Sequence, residues 1–345
     1  MKKKIGSRIL DVFQKPEFST LTILTVMIVI AASLQSNFFT QQTIVSNINT
    51  FAPLIMLSLG QAVSILSGGY DFSVGNAMAL ILCVMTKTMD KNVPISGLYA
   101  ILLGAAVALL IGIVNGIAVG YLRLSPFIAT FTTSYMWMGI ALLIMPKPGG
   151  AITKWFRVFY NFASAKTMPA WLVNIGKVIP PALMLILLLC AAWFVLSKTK
   201  TGRYIHAVGS NFDNAYFRGI KAGLIQTKAY IFSAFCAFAC ALFYAGQNGA
   251  GNAQLGMYMT LQAAAAAIVG GIAVGGGKGN VFMSIAGAVI MSLVGRIIYF
   301  AGISSNWQML VSGVIIIAAI GSSALYSTLR KRAMLREVKA SEANK

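Results

Sequence analysis

The segment SGGYDFSVGN, residues 67–76, decides how this chain folds, because it places two glycines and an acid between two apolar runs. Asp71 is one of only three acidic residues between Glu17 and Glu337. A carboxylate costs roughly 2.5 to 3.5 kcal/mol at the centre of a membrane helix, so it persists there only where it faces protein, water or a functional path. The segment therefore predicts a break in a membrane helix.

Composition places the chain among membrane proteins. Hydrophobic residues make up 58% of its 345 residues, charged residues only 10%, and the mean hydropathy is +0.80, which excludes a water-soluble globule of this length. A spanning helix needs about 20 mostly apolar residues. Such windows predict an all-α fold with about ten transmembrane helices, near 19–35, 51–67, 73–86, 97–121, 126–145, 178–197, 225–245, 258–276, 281–301 and 307–326.

Lysine and arginine fall mostly on one predicted side of the membrane. Cytoplasmic loops carry an excess of these residues, and an even number of spans puts both basic termini and the basic 198–228 loop on the same side. We therefore expect both termini in the cytoplasm. The chain divides into an N-terminal segment (1–18, retained rather than cleaved), one transmembrane domain (19–326) and a basic tail (327–345).

The net charge of +20 is spread over loops that flank the predicted spans. That distribution fits topology and anionic headgroups, so we expect a lipid bilayer and no nucleic acid as its partner. No metal site is expected either, because the one histidine, His206, is not accompanied by a zinc-ligand set. The four cysteines all lie in apolar windows and are interpreted as small buried side chains: Cys83, Cys190, Cys236 and Cys240.

Catalytic groups are scarce. The chain has no histidine-based nucleophile pair and no close pair of carboxylates, so we predict no enzyme activity and no catalytic residue. The run GGGKG at 275–279 is a near miss for a phosphate-binding loop, which needs Gly where Ile272 stands and Ser or Thr where Gly279 stands. These glycines are better suited to tight turns or close backbone contacts between membrane helices.

The predicted cytoplasmic loop at 198–224 is long, basic and patterned. Asn211 or Ser210 can begin a short helix that continues to Phe217 and ends at Gly219. From this segment alone, a helix that rests on lipid headgroups and a helix that docks a partner are equally good interpretations.

Four segments together resemble the permease subunit of ribose-type ABC importers, which move simple sugars and autoinducer-2-like molecules. SGGYDFSVG resembles a Gly-Gly-x-Asp-Leu-Ser-Val-Gly signature, with Phe72 in place of the leucine. The cytoplasmic element at 202–220 is similar to a Gly-Arg-x-x-x-Ala-x-Gly-Asn pattern, with Ser210 before Asn211 where glycine is common and Tyr216 where alanine is usual. The other similar segments are NGIAVGYLRLSPFIATF (115–131), and GGGKGNVFMSIAGAVI (275–290) with WQMLVSGVIIIAA (307–319).

The resemblance implies the permease fold of vitamin B12- and ribose-type importers, in a prokaryotic inner membrane. It implies a second permease copy or homologue, a periplasmic or extracellular solute-binding protein, and separate ATPase subunits that carry the ATP and magnesium. No cofactor is expected on this chain. The 198–224 loop would hold the coupling helix, with these residues at the ATPase side: Gly202, Arg203, Gly209, Asn211, Ala215 and Gly219.

Asp71 has two interpretations. As a structural residue it caps the helix that begins at Ser73, because Asp is a preferred N-cap. As a functional residue it supports a gate or the coupling to the ATPase, since broken helices occur at transporter binding sites. The helix-break group comprises Gly68, Gly69, Asp71, Ser73 and Gly75.

Uncharged polar residues inside the spans are candidates for lining the path: Gln61, Asn76, Asn115 and Gln262. A neutral, hydroxyl-rich solute needs such groups, although each of them can equally serve hydrogen bonding between helices. Arg296 lies in a predicted span, where it can snorkel, pair across a dimer or face the path. The alternative function is an ion-coupled transporter, which usually needs a titratable residue near mid-membrane, and Asp71 is the only good candidate.

Two outer segments are candidates for contact with a binding protein. Residues 146–177 contain KWFRVFYNF, which predicts an interfacial helix anchored by Trp155 and Trp171. This helix can serve as a lipid anchor or as part of a platform for the binding protein. Residues 246–257 are polar and glycine-rich, so they can form a docking loop or an outer gate.

Overall fold

The computed structural model describes residues 16–160 and 179–304, with 306–308, 310–311, 313–314 and 317. In this part of the chain the secondary structure is helical, and the one β-type pairing is an isolated bridge between Gly149 and Gly251. The helices are α1 (Pro16–Leu34), α2 (Gln41–Leu66), α3 (Val74–Thr88), α4 (Pro94–Gly120), α5 (Pro126–Ile144), α6 (Lys154–Tyr160), α7 (Pro181–Lys198), α8 (Lys200–Ser210), α9 (Phe212–Phe217), α10 (Ala222–Asn248), α11 (Met259–Val269) and α12 (Met283–Phe300).

The all-α prediction is confirmed, but the described residues contain only 6 helices long and apolar enough to cross a membrane: α2, α4, α5, α7, α10 and α12. Three shorter apolar helices cover 18–34, 74–88 and 259–269. The tenth predicted span, 307–326, lies mostly outside the described residues, as do the N-terminal segment up to residue 15 and the tail 327–345. The number of about ten spans and the orientation of the termini stay predictions.

Helices α2 and α10 form the centre of the bundle. They pack against each other, and α10 also packs against α3 and α4, while α11 and α12 cover another side of α2. The side chains of α2 are buried continuously from Phe51 to Leu66. In contrast, α5 and α7 expose many apolar side chains, such as Leu143 and Leu188, as expected for helices that face lipid.

Several helix starts follow from local chemistry. Proline is the first residue of α4, α5 and α7, where its missing N–H is not needed and its fixed φ suits the helix. Helix α2 begins at Gln41, ten residues before the predicted start at 51, because Thr40 accepts a hydrogen bond from the N–H of Thr43. The polar first turns of α2 therefore belong to the helix.

Two stretches of irregular backbone interrupt the bundle and shorten the adjoining helices. The first, 67–73, precedes the 15-residue α3, and the second, 249–258, precedes the 11-residue α11. A Cβ added at Gly75 would collide with the carbonyl oxygen of Gly256, so the two stretches meet backbone to backbone. The predicted span 258–276 is thus a half-length helix, 259–269, that follows an irregular stretch.

The two ends of the bundle are distinct. One, here called the basic end, carries α8 and α9, the last turns of α2 and α4, and the 270–282 connection. The other, the opposite end, carries the first turns of α2, the last turns of α10, and α6.

Candidate functional site

The break after α2 is built by glycine and by tight turns. The N–H of Gly68 donates to the carbonyl of Ile65 at 2.9 Å, and Gly69 donates back to Ser64 at 3.1 Å. Gly68 has φ +88°, a left-handed conformation that other L-residues rarely adopt. The helix therefore stops at this position, and the chain turns back into the bundle.

Asp71 lies at the centre of the break and is only 2% exposed. One carboxylate oxygen accepts from the N–H of Ser73 at 3.0 Å and from its hydroxyl at 2.7 Å. The other accepts from the hydroxyl of Ser233 on α10 at 2.7 Å. Hydrogen bonds to a carboxylate are about twice as strong as neutral ones, so these three offset part of the cost of burial.

The network continues from Asp71 through neutral side chains. The side-chain amide of Asn115 donates to the hydroxyl oxygen of Ser73 at 2.7 Å. The hydroxyl of Thr133 then donates to the carbonyl oxygen of Asn115 at 2.7 Å. One chain of hydrogen bonds thus ties the break to α10, α4 and α5.

The prediction that Asp71 caps the following helix needs a small change. Helix α3 begins at Val74, its N-cap is Ser73, and Asp71 accepts the N–H of that N-cap residue instead of an N–H inside the helix. The carboxylate is enclosed by its partners, which fits the structural interpretation. A gating role stays a prediction.

Sequence reasoning missed three residues that hold the break. Thr130 on α5 accepts from the N–H of Phe72 at 2.9 Å, and Tyr230 on α10 donates to the carbonyl of Tyr70 at 3.1 Å. On the far side, the hydroxyl of Thr260 accepts from the N–H of Gly75 at 3.1 Å. Thr130 lies in the SPFIATF segment, which the resemblance singled out, but a lone Tyr or Thr in an apolar helix gives no such signal.

The predicted short helix in the basic loop is confirmed as α9. The side chain of Asn211 accepts from the N–H of Asn214 at 2.8 Å, as the sequence suggested, and Gly219 follows the helix with φ +82°. Ala215 is 4% exposed and is the one buried residue of this helix. The sequence did not predict α8, the amphipathic helix that precedes it.

Helix α8 contacts the broken end of α2 through glycines. A Cβ added at Gly209 would collide with the carbonyl oxygen of Leu66 and lie 2.7 Å from the N atom of Gly277. The N–H of Gly277 itself donates to that Leu66 oxygen at 3.0 Å. We call the meeting point of Gly68, Gly209, Gly276 and Gly277 the glycine junction.

His206 adds a side-chain contact at this junction. Its Nδ1 lies 3.1 Å from the carbonyl oxygen of Gly277. Because a carbonyl only accepts, the contact requires the proton on Nδ1. A turn of α8 is therefore held to the 273–279 turn by both backbone packing and a hydrogen bond.

Helix α9 presents aromatic side chains outward. Phe217 is 82% exposed and Tyr216 57% exposed. Arg123, between α4 and α5, holds the helix from behind: its guanidinium lies 3.4 Å from the carboxylate of Asp213 and 4.8 Å from the ring centroid of Phe212. The short helix is thus attached to the bundle and keeps an open aromatic face.

Two further predicted coupling residues lie at the start of α8. Gly202 fits closely against α7, since an added Cβ would be 2.5 Å from the Cα of Ser197. Arg203 donates to the carbonyl of Lys198 at 3.1 Å. Both residues therefore contribute to the joint between α7 and α8, and their role toward an ATPase stays a prediction.

The four predicted path residues are not brought together by any described contact. Asn115 belongs to the network above, and Asn76 donates to the hydroxyl of Ser134 at 2.9 Å, so both bind neighbouring helices. Gln61 is fully buried, and neither its side-chain N nor its O has a partner among the described residues. Gln262 is partly exposed.

At the opposite end, the predicted interfacial helix is α6. Its Trp155 donates to the carbonyl of Pro94 at 2.8 Å, whereas Trp171 lies outside the described residues. The Gly149–Gly251 bridge joins the two outer segments, and the N–H of Ala151 donates to the carbonyl of Thr86 at 2.9 Å.

Comparisons with known proteins find transport permeases. A family model described as branched-chain amino acid transport system / permease component matches residues 43–320. The D-allose transport system permease protein AlsC of Escherichia coli K12 is 29% identical over 90% of this chain and 92% of its own length. The ribose import permease protein RbsC of the same strain is 27% identical over 88% and 92%.

A probable ABC transporter permease protein, y4mJ of Sinorhizobium fredii NGR234, is 30% identical over 78% of this chain and 77% of its own length. No solved structure matches the chain.

Proposed function

Since this chain belongs to the family of ABC-importer permease components, we propose that it forms the membrane path for a small neutral solute, a sugar or a sugar-like molecule. Members of this family are multi-pass proteins of the bacterial inner membrane and are transport subunits, not enzymes; ATP hydrolysis belongs to a separate chain.

The observation that carries the mechanism is the contact between the basic segment and the helix break. Helix α9 has an exposed aromatic face, α8 directly precedes it in the chain, and Gly209 of α8 packs directly on the carbonyl of Leu66. A force applied to α9 reaches α2 and the 273–279 turn without passing through a flexible side chain. This is the geometry that a coupling element requires.

We propose that two ATPase subunits bind at the basic end, with Phe217 and Tyr216 of α9 as the principal contacts. Exposed aromatic side chains are typical anchors of protein interfaces. Closure of the ATPases around ATP would push α9 and α8, and the glycine junction would pass that movement to the broken end of α2. The Asp71 network would make α3, α4, α5 and α10 respond together.

The relatives and the placement of the acidic residues support the proposed solute class. The relatives named above are permeases for D-allose and ribose. The acids of the described chain between 18 and 304 are Asp71, which is enclosed by donors, and Asp90 and Asp213, which are exposed. A neutral solute suits such a path better than a cation does.

We propose further that a solute-binding protein delivers the solute at the opposite end, where α6, the 146–153 segment and the 249–257 segment form the surface. A second permease copy or a homologue would complete the path. Both termini and the α8–α9 segment would then lie in the cytoplasm, in agreement with the distribution of Lys and Arg.

The test is co-purification and uptake with the cognate ATPase and binding protein. Phe217→Ala should lower the amount of ATPase retained on the permease and reduce uptake by about tenfold, the usual scale for an aromatic interface anchor. The matched control is Phe194→Ala, an aromatic residue 53% exposed on α7, a helix that faces lipid. Uptake driven by an ion gradient without any ATPase would overturn the proposal.

A further inference from the structure

A cavity of about 470 Å³ lies at the opposite end, between the first turns of α2 and the last turns of α10. Its volume lies within the roughly 300–1,000 Å³ that small-molecule sites usually have. Its lining residues are Gln42, Val45, Ser46, Asn49, Thr50, Pro53, Phe243, Tyr244 and Gln247. None of the predicted path residues is among them.

The cavity lining combines uncharged polar groups with aromatic rings. Carboxamides donate and accept hydrogen bonds, and hydroxyls do the same, so the set can pair with alcohol groups in either sense. The rings of Phe243 and Tyr244 supply flat apolar surface. No carboxylate is among the lining residues, and this chemistry fits a neutral, polyhydroxylated molecule.

Asn49 gives the cavity unsatisfied acceptors. Its side-chain oxygen is buried and has no hydrogen-bond partner within the described chain. Pro53, four residues later in the same helix, has no N–H, so the backbone carbonyl of Asn49 also lacks its helical donor. A buried acceptor without a partner is costly, and a hydroxyl of a bound molecule would relieve that cost.

Arg296 on α12 fixes two hydroxyls of the lining. Its guanidinium donates to the hydroxyl oxygens of Ser46 and Thr50, each at 3.4 Å. The proton of Thr50 is directed to the carbonyl of Ser46 at 2.9 Å, so its orientation is set as well. The sequence leaves three roles open for Arg296, and in the structure its guanidinium contacts these two lining hydroxyls.

We infer that this cavity binds a neutral, polyhydroxylated solute of monosaccharide size, with Asn49 as its main acceptor and Arg296 as the residue that positions Ser46 and Thr50. The inference rests on the proposed function, because a solute delivered at the opposite end would meet this cavity before it reaches the break at 67–73. The site would therefore select among solutes before the helices move.

The test uses the complete importer in proteoliposomes, with D-ribose, D-allose and D-galactose as probes. Asn49→Ala should raise the half-saturating concentration of the transported sugar about three- to tenfold, as expected for loss of one or two hydrogen bonds, with little change in the maximal rate. It should also reduce discrimination against one monodeoxy analogue of that sugar. The matched control is Asn248→Ala. Asn248 is exposed at the end of α10, next to the lining residue Gln247, and is not itself part of the lining.

Arg296 is tested by a pair of variants. Arg296→Met should weaken discrimination among the deoxy analogues, and Arg296→Lys should restore part of it, because the ammonium keeps a donor near the two hydroxyls. Thermal unfolding of both variants shows whether the effect is only structural. Equal loss of stability with unchanged discrimination would contradict the positioning role.

The outcomes separate the two proposals. If the wild-type complex imports a sugar and Asn49→Ala behaves like Asn248→Ala, the cavity inference is overturned while the proposed function stands. If the wild-type complex, with ATPase and binding protein present, imports none of the three sugars and no other neutral sugar, the sugar-importer proposal fails and the inference falls with it.

Discussion

Replacing Gly209 by alanine tests the glycine junction, because the added methyl group has no free space. The new Cβ would collide with the carbonyl oxygen of Leu66 and lie 2.7 Å from the N atom of Gly277. An ordinary van der Waals contact of a Cβ atom is 3.4–4 Å. Helix α8 must therefore move away from α2 or lose the hydrogen bond between Gly277 and Leu66.

These contacts set the free-energy cost of Gly209→Ala. Overpacking of a close contact costs about 1–3 kcal/mol, and loss of the 3.0 Å hydrogen bond from Gly277 to Leu66 adds about 1 kcal/mol. If about 1–3 kcal/mol of this strain acts on only one of the two conformational states between which the importer alternates, the ratio of their populations changes about 5- to 150-fold. We expect Gly209→Ala to uncouple ATP hydrolysis from transport.

The assay measures solute imported and ATP hydrolysed by the same reconstituted complex. Gly209→Ala should lower the number of solute molecules moved per ATP by at least about fivefold. Gly139→Ala on α5 is the control, since an added Cβ there has no neighbour within 4 Å. A Gly209→Ala complex with wild-type stoichiometry and wild-type thermal unfolding would refute the role of the junction.

Three further predictions follow from individual contacts. Asp71→Ala removes the acceptor of three donors and should lower the free energy of unfolding, measured by thermal unfolding, by about 2–4 kcal/mol. Asp71→Asn keeps one acceptor oxygen and should lose clearly less stability, so equal losses would contradict the network. Normal uptake with normal ATPase stimulation in Asp71→Asn would remove the gating role. Asp213→Asn should change stability by less than about 0.5 kcal/mol, because its ion pair with Arg123 is exposed; a change above about 1 kcal/mol would show that this pair matters more than its exposure suggests. Gly256→Ala should reduce both thermal stability and uptake, because its Cβ would collide with the carbonyl of Gly75, and wild-type behaviour of this variant would contradict the contact between the two irregular stretches.

Much of the helix pattern could be predicted from the sequence, because apolar windows and proline starts are local signals. Helix α4 was predicted at 97–121 and lies at Pro94–Gly120, and α5 was predicted at 126–145 and lies at Pro126–Ile144. Helix α9 was also predicted, with Asn211 or Ser210 as its cap, and Asn211 is the cap that the structure has. Side-chain capping could be predicted because it needs only neighbouring residues.

Contacts between distant residues could not be predicted in the same way. The bond between Asp71 and Ser233 joins residues 162 positions apart, and nothing local to Ser233 distinguishes it from a serine that simply packs. The early start of α2 was missed because its first turns are polar, and the cavity between α2 and α10 was missed with it. Polar residues at 42, 46, 49 and 50, spaced three or four apart, were the available signal.

The bridge between Gly149 and Gly251 has a consequence for how such a subunit acquires new partners. Two connecting segments at the opposite end are joined by main-chain hydrogen bonds of 3.0 and 2.7 Å, which use no side-chain atoms. Side chains at neighbouring exposed positions can therefore be substituted while these two hydrogen bonds are kept. On the proposed function, exchange of side chains on this fixed backbone would be enough to adapt the surface to a different solute-binding protein.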